Sequence, residues 1–144
     1  MVVVATDEEL RMAKERFPDE EIIKTGVGGV NVYKTLRNFP EDTEILNFGH
    51  VGSNNLEVGK EVEIGVCKLY HPNVEYTEET FNLGGTIPCY TSNDFVLQTD
   101  IQEPVVFDME LAYICAMFKN VKSIKIVSDN LSLKEYETNV EELK

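Results

Sequence analysis

Short apolar runs alternate with helix-period segments along almost the whole of this chain, and that alternation restricts its fold more than any other feature. Strands are predicted at Val2 to Ala5, Glu21 to Lys24, Thr43 to Phe48, and from Val105 and Ser123 onward. Helical spacing of apolar residues marks the segments from about Glu8 to Phe17, Gly29 to Phe39, Asp108 to Phe118 and Ser132 to Leu143. Strands that alternate with helices of this length build an α/β domain whose parallel or mixed sheet is covered on both faces, a three-layer α/β/α sandwich. The strand-dense middle, from about Val62 to Tyr90, is expected to add antiparallel pairs. A length of 144 residues with 42% hydrophobic content suits one core, so residues 1–144 read as a single domain. No repeat, low-complexity stretch or linker divides it.

Charge narrows the partners. With 26 acidic and 13 basic side chains the formal net charge is -13, which repels nucleic-acid backbones and anionic membranes but leaves a small neutral ligand open. The opening Met1-Val2-Val3-Val4-Ala5-Thr6-Asp7-Glu8-Glu9 lacks a basic region, and its apolar run is too short for a signal peptide or a membrane span. A cytoplasmic location is the expectation. Cys67, Cys89 and Cys115 form no Cys-x-x-Cys pair, and His50 and His71 show no metal-ligand spacing. The thiols are expected to be reduced and buried, and neither a metal nor a cofactor is expected.

Carboxylates gather where the predicted strands end, the edge at which open α/β sheets bind ligands. Asp129 follows the strand through Ile126-Val127-Ser128, and Glu110 falls in the first turn of a helix that Asp108 is placed to cap. Asp7, Glu8 and Glu9 follow the first strand, although the helix macrodipole alone accounts for most acidic runs at a helix start. Thr25-Gly26-Val27-Gly28-Gly29-Val30-Asn31 can present backbone N–H groups to an anion, or simply let a helix pack closely on the sheet. It matches neither the dinucleotide fingerprint nor a P-loop. His50, after another strand, can orient a water or a sugar hydroxyl or be an ordinary satisfied polar group. Phe95 offers either a stacking surface or a core side chain.

Taken in order, these segments resemble the nucleoside phosphorylase and nucleosidase superfamily, most closely its 5'-methylthioadenosine/S-adenosylhomocysteine nucleosidase branch. Ala5-Thr6-Asp7-Glu8-Glu9-Leu10 resembles the acidic N-terminal motif, and the Thr25 turn resembles Thr-Gly-Ile-Gly-Lys-Val-Asn. Asn47-Phe48-Gly49-His50-Val51-Gly52 is similar to Asn-x-Gly-Ser-Ala-Gly, and Val58-Gly59-Lys60-Glu61-Val62 to Val-Gly-Asp-Ile/Val. Thr91-Ser92-Asn93-Asp94-Phe95-Val96 resembles Ser-Gly-Asp-x-Phe-Ile. Phe107-Asp108-Met109-Glu110 resembles Val-Glu-Met-Glu, and Val127-Ser128-Asp129 resembles the catalytic Ile-Ser-Asp.

The resemblance implies a phosphorylase/hydrolase-like fold and hydrolysis of the N-glycosidic bond of a purine nucleoside. Asp129 would protonate the purine at N7 and Glu9 would orient and deprotonate the attacking water. Glu110 would bind the ribose hydroxyls, Met109 would pack under the sugar, Phe95 would stack on the base, and the backbone near Val96 would read the purine edge. It also implies a homodimer. The chain departs from the pattern in three residues: His50 stands for a small hydroxyl residue, Gly29 for a lysine and Asp108 for a glutamate. It is also shorter than usual members, between the first helix and the Thr25 turn and between Tyr70 and Tyr90.

Two other functions compete with hydrolysis. A phosphorylase holds a phosphate dianion, normally with arginine, and the only arginines are Arg11, Arg16 and Arg37, all on predicted helices and none at the Gly49 turn. A minimal member that binds a nucleoside or a protein partner without turnover is the third reading.

Overall fold

Val2, Val3 and Val4 are each about 1% exposed, yet they do not share a core, because successive strand side chains point to opposite faces. Val2 and Val4 pack with Leu10 and Ala13 of a helix and with Phe48; Val3 packs with Val32, Leu36, Ile114 and Phe118 on the other side. Such a strand has to be covered twice. The computed structural model describes residues 1–70 and 79–142.

The elements follow in the order β1 (Val2–Val4), α1 (Asp7–Arg16), β2 (Ile22–Lys24), α2 (Gly29–Leu36), β3 (Glu44–Ser53), β4 (Glu61–Leu69), β5 (Phe81–Asn82), β6 (Ile87–Thr91), β7 (Val106–Asp108), α3 (Leu111–Met117), β8 (Asn120–Asp129) and α4 (Leu133–Glu142). The α/β class and the mixed sheet are as expected. Helix α1 covers one face of the sheet near β1, and α2 with α3 cover the other.

The sheet does not stay open, however, and here the expectation of a plain sandwich is corrected. β3 pairs with β7, β7 with β6, β6 with β4, β4 with β8, and β8 again with β3, so five strands close into a barrel. β1 and β2 extend the sheet beyond β3 in parallel. Closure depends on β4, which pairs antiparallel with β8 through Glu61–Glu63 and then changes partner to run parallel with β6. Backbones come very close at that change: a Cβ on Gly85 would lie 2.4 Å from the carbonyl oxygen of Glu63. Glycine is required there. One buried cluster draws on all five barrel strands through Val51, Ile64, Cys89, Val106 and Val127, and takes in Leu111 and Cys115 of α3.

Some boundaries moved. β3 and β8 are longer than predicted, and Ser128 and Asp129 are the last residues of β8 rather than residues beyond it. Glu110 precedes α3 instead of occupying its first turn. The cause is Asp108, whose backbone is still extended in register with Thr91. The antiparallel pairs expected in the middle occur between β4 and β5 and between β4 and β8. All three cysteines are buried and unpaired. His71 and the predicted end of the last helix at Leu143 lie outside the described residues. No helix among the described residues is long and apolar enough to cross a membrane.

Candidate active site

Glu9 is built into the wall of a cavity by the start of its own helix. Thr6 caps α1, its Oγ1 accepting the Glu9 N–H at 3.2 Å while Glu9 Oε1 accepts the Thr6 N–H at 3.2 Å, a complete capping box. Oε1 also accepts from the Ala5 nitrogen at 2.8 Å, and Oε2 accepts from the backbone nitrogen of His50 at 2.8 Å. Three main-chain donors from two segments therefore fix one carboxylate, which is only 6% exposed as a residue. The approach needs a bare backbone: a Cβ on Gly49 would meet Glu9 Oε2 at 2.6 Å.

His50 sits at the rim of this arrangement. Its side chain is 2% exposed, and Nδ1 lies 3.8 Å from Glu9 Oε2, too far for a hydrogen bond. Among the described residues neither ring nitrogen has a hydrogen-bond partner. Burial holds its pKa below the usual histidine value, against the opposing charge of Glu9.

Asp129 ends β8 where the pairing with β3 slips between Val51 and Gly52, a bulge that turns the last side chains. Its Oδ1 accepts from Ser128 Oγ at 2.8 Å and its Oδ2 from the Leu131 nitrogen at 3.0 Å. Burial raises its pKa above the ordinary carboxylate value, partly offset by those donors. Leu131 beside it adopts φ 65°, the left-handed region that a bulky residue seldom enters.

Glu110 faces the glycine turn. Gly28, with φ 90°, donates its N–H to Glu110 Oε2 at 2.8 Å, so the turn presents a backbone donor to this side chain. Burial, with the nearby charge of Asp108, pushes the Glu110 carboxyl up to about 8. Beneath it, Asp108 Oδ2 accepts from the Leu111 nitrogen at 2.7 Å and from Lys125 Nζ at 3.3 Å; both ionic side chains are at most 2% exposed. Burial alone would lower the Lys125 pKa, but Asp108 holds it above the normal lysine value.

One cavity of about 240 Å³ brings these groups together. Glu9, His50, Phe95, Val96, Met109, Glu110 and Asp129, all seven residues singled out in the sequence, line it. Phe95 is met edge-on by Tyr136 of α4, ring centroids 5.5 Å apart, and the pair forms an aromatic edge to the opening. Tyr136 and Leu131 were missed as site residues. The apolar stripe that includes Tyr136 marked a packing face, and nothing in the local sequence distinguishes its cavity side from its core side. Lys125 was missed too; its signal is a lysine in phase with Ser123, Val127 and Asp129 on the fully buried side of β8. Among the described residues, no group of three or more His, Cys, Asp or Glu side chains is arranged to hold a metal ion.

Chemically, the lining carries five acidic residues, Glu9, Asp94, Asp108, Glu110 and Asp129, with His50 and an aromatic edge, and no arginine. No family model matches the chain, and no curated protein matches it by sequence. Solved structures do match. A nucleosidase (MTAN) from Chlamydia trachomatis superposes with a TM-score of 0.80 at 16% identity, over 99% of this chain and 89% of that one. Futalosine hydrolase of Helicobacter pylori gives 0.76 at 13% identity, over 98% and 90%. The 5'-methylthioadenosine/S-adenosylhomocysteine nucleosidase of Helicobacter pylori gives 0.74 at 13%, again over 98% and 90%, in an Asp-to-Asn variant with 5'-methylthioadenosine in its active site. The chain thus has the fold of these nucleosidases, the superfamily that its sequence motifs resemble.

Proposed function

We propose that this protein hydrolyses the N-glycosidic bond of a purine nucleoside of the methylthioadenosine or S-adenosylhomocysteine type. The observation that carries the reading is the convergence of Glu9 of α1, Glu110 just before α3 and Asp129 of β8 on one cavity, each buried and each held by a backbone donor. Bond cleavage develops positive charge on the sugar and negative charge on the departing base, so the reaction needs an anion near one and a proton near the other. Asp129, with its raised pKa, is the general acid toward purine N7. Glu9 supplies the negative charge that activates the attacking water. Glu110 takes the ribose hydroxyls, Met109 supports the sugar, Phe95 stacks on the base, and the Val96 backbone reads its edge.

Hydrolysis is preferred to phosphorolysis because a phosphate dianion would need cationic donors. Arg16 is bound to Glu61 and Arg37 lies over the Tyr33 ring, and neither lines the cavity. The solved relatives with nucleosides or analogues bound support a small-molecule nucleoside as the ligand. A homodimer completes the proposal, supported by exposed Val27, Val30 and Tyr33 close to the site.

The test is base release from methylthioadenosine, S-adenosylhomocysteine, adenosine and inosine, followed by liquid chromatography with and without phosphate. Release independent of phosphate is expected. Release that requires phosphate, with the 1-phosphate of the substrate's own ribose (5'-substituted where the nucleoside is) as product, would establish the phosphorylase instead.

A further inference from the structure

Glu110 occupies the N-cap position of α3, yet its side chain caps nothing. A residue placed there ordinarily turns its side chain to the first helical N–H groups, which have no partner inside the helix. Here those groups are taken by residues of the barrel strands. The Leu111 N–H donates to Asp108 Oδ2 at 2.7 Å and the Glu110 N–H to the same oxygen at 3.3 Å, while the Ala112 N–H donates to Thr91 Oγ1 at 3.0 Å. Tyr113 donates to the Glu110 carbonyl at 3.1 Å. The Glu110 carboxyl is thereby released from the helix start; it accepts from Gly28 at 2.8 Å and lines the cavity.

The substitute cap is itself held from within the barrel. The Thr91 hydroxyl donates its proton to Asp108 Oδ1, which leaves its lone pairs for Ala112. Lys125 Nζ stands 3.3 Å from Asp108 Oδ2 and compensates a carboxylate that would otherwise be buried without a counter-charge. Helix α3 also lies hard against the glycine turn, since a Cβ on Gly29 would meet the Tyr113 ring at 2.9 Å. That approach brings the Gly28 N–H within reach of Glu110.

We infer that Thr91, Asp108 and Lys125 are positioning residues for sugar recognition: by capping α3 in place of Glu110 they keep its carboxyl at the Gly28 turn and in the cavity, and so set the preference for a ribose over a sugar lacking one of the hydroxyls that Glu110 binds. This deepens the nucleosidase reading and rests on it. Loss of the Thr91 hydroxyl frees the Ala112 N–H, one of the groups that a side chain at the N-cap position accepts from. The Glu110 carboxyl is then divided between the helix start and the cavity, and the sugar hydroxyls lose a fixed partner.

The decisive experiment is kcat and KM for base release from methylthioadenosine and from its 2'-deoxy and 3'-deoxy counterparts, by the wild type, Thr91→Val, Thr91→Ser, Glu110→Gln and the double variant Thr91→Val/Glu110→Gln. Each loss is taken against the wild type on the same nucleoside, which cancels the intrinsic lability of a deoxy bond. Thr91→Val is expected to lose about 10-fold in kcat/KM on methylthioadenosine, chiefly through KM, and less than about 2-fold on at least one deoxy nucleoside. Thr91→Ser, which keeps the hydroxyl, should stay near the wild type. In the Glu110→Gln background Thr91→Val should cost nothing further, because both act through one group. Asp108→Asn/Lys125→Met, which leaves no buried charge unpaired, provides a second route to the same selective loss should Thr91→Val not fold. Equal losses on all the nucleosides in a folded variant, or full additivity with Glu110→Gln, overturn the positioning role and leave the nucleosidase intact. A Glu110→Gln variant that loses equally on all of them overturns the sugar-binding assignment of Glu110 and this role with it. No base release by the wild type from any of them overturns the nucleosidase reading itself.

Discussion

Glu9 holds the His50 backbone, its Oε2 accepting the His50 N–H at 2.8 Å while standing 3.8 Å from ring Nδ1. The same carboxylate caps the first turn of α1 through Thr6, so one side chain joins the start of a helix, the third strand and the cavity floor. Structure and site share an atom, and a change to either neighbour should be felt in both.

Gly49→Ala tests that coupling. The added methyl would meet Glu9 Oε2 at 2.6 Å, and the carboxylate can yield only by giving up main-chain hydrogen bonds. The expected loss is about 1–2 kcal/mol of stability in urea unfolding. A fall in kcat of about 100-fold should accompany it, because a misplacement near 1 Å has that effect.

Glu110 makes the protein's stability fall as pH rises. Its carboxyl is raised from 4.5 to about 8 in the folded state, so the folded protein favours the protonated form. The resulting stability is fully present below pH 4.5 and is lost as pH climbs through about 8, by about 5 kcal/mol at most. Glu110→Gln, neutral at every pH, should flatten the decline of Tm between pH 5 and 8. Identical slopes for both proteins would show that Glu110 ionises normally.

Asp108 and Lys125 form a buried pair, so either partner left alone should be costly. Lys125→Met and Asp108→Asn are each expected to destabilise by about 3–5 kcal/mol, and the double variant by clearly less than their sum. A double-mutant cycle in denaturant measures the difference; simple additivity would mean that the two charges act separately.

Phe95 and Tyr136 edge the opening and contribute little elsewhere. Phe95→Ala should raise KM about tenfold, the loss expected of one aromatic contact, with kcat nearly unchanged. Unfolding midpoints of Phe95→Ala and Tyr136→Ala by calorimetry should stay close to wild type.

Much of this molecule was legible in its sequence because the relevant signals are local. The apolar period separated strands from helices, and Thr6 followed three residues later by Glu9 is a capping box in sequence as well as in space. All seven residues singled out for the site lie around one cavity because they sit at strand ends, where topology gathers them. Barrel closure was not legible, since it rests on β4 changing partner beside Gly65 and Gly85, a long-range event with no periodicity of its own. Lys125 escaped notice for a similar reason: a lysine on a strand normally faces water, and only the fold reveals Asp108 opposite it.

The most direct measurement is single-turnover base release from methylthioadenosine by wild-type protein and Asp129→Asn, with binding of the same nucleoside followed by calorimetry. The predicted result is binding by both proteins and release by the wild type only, since the asparagine keeps the shape of the site but has no proton to give to N7. Equal release by both proteins would contradict the assignment of Asp129 as the general acid, and absence of binding by either would contradict the nucleoside site itself.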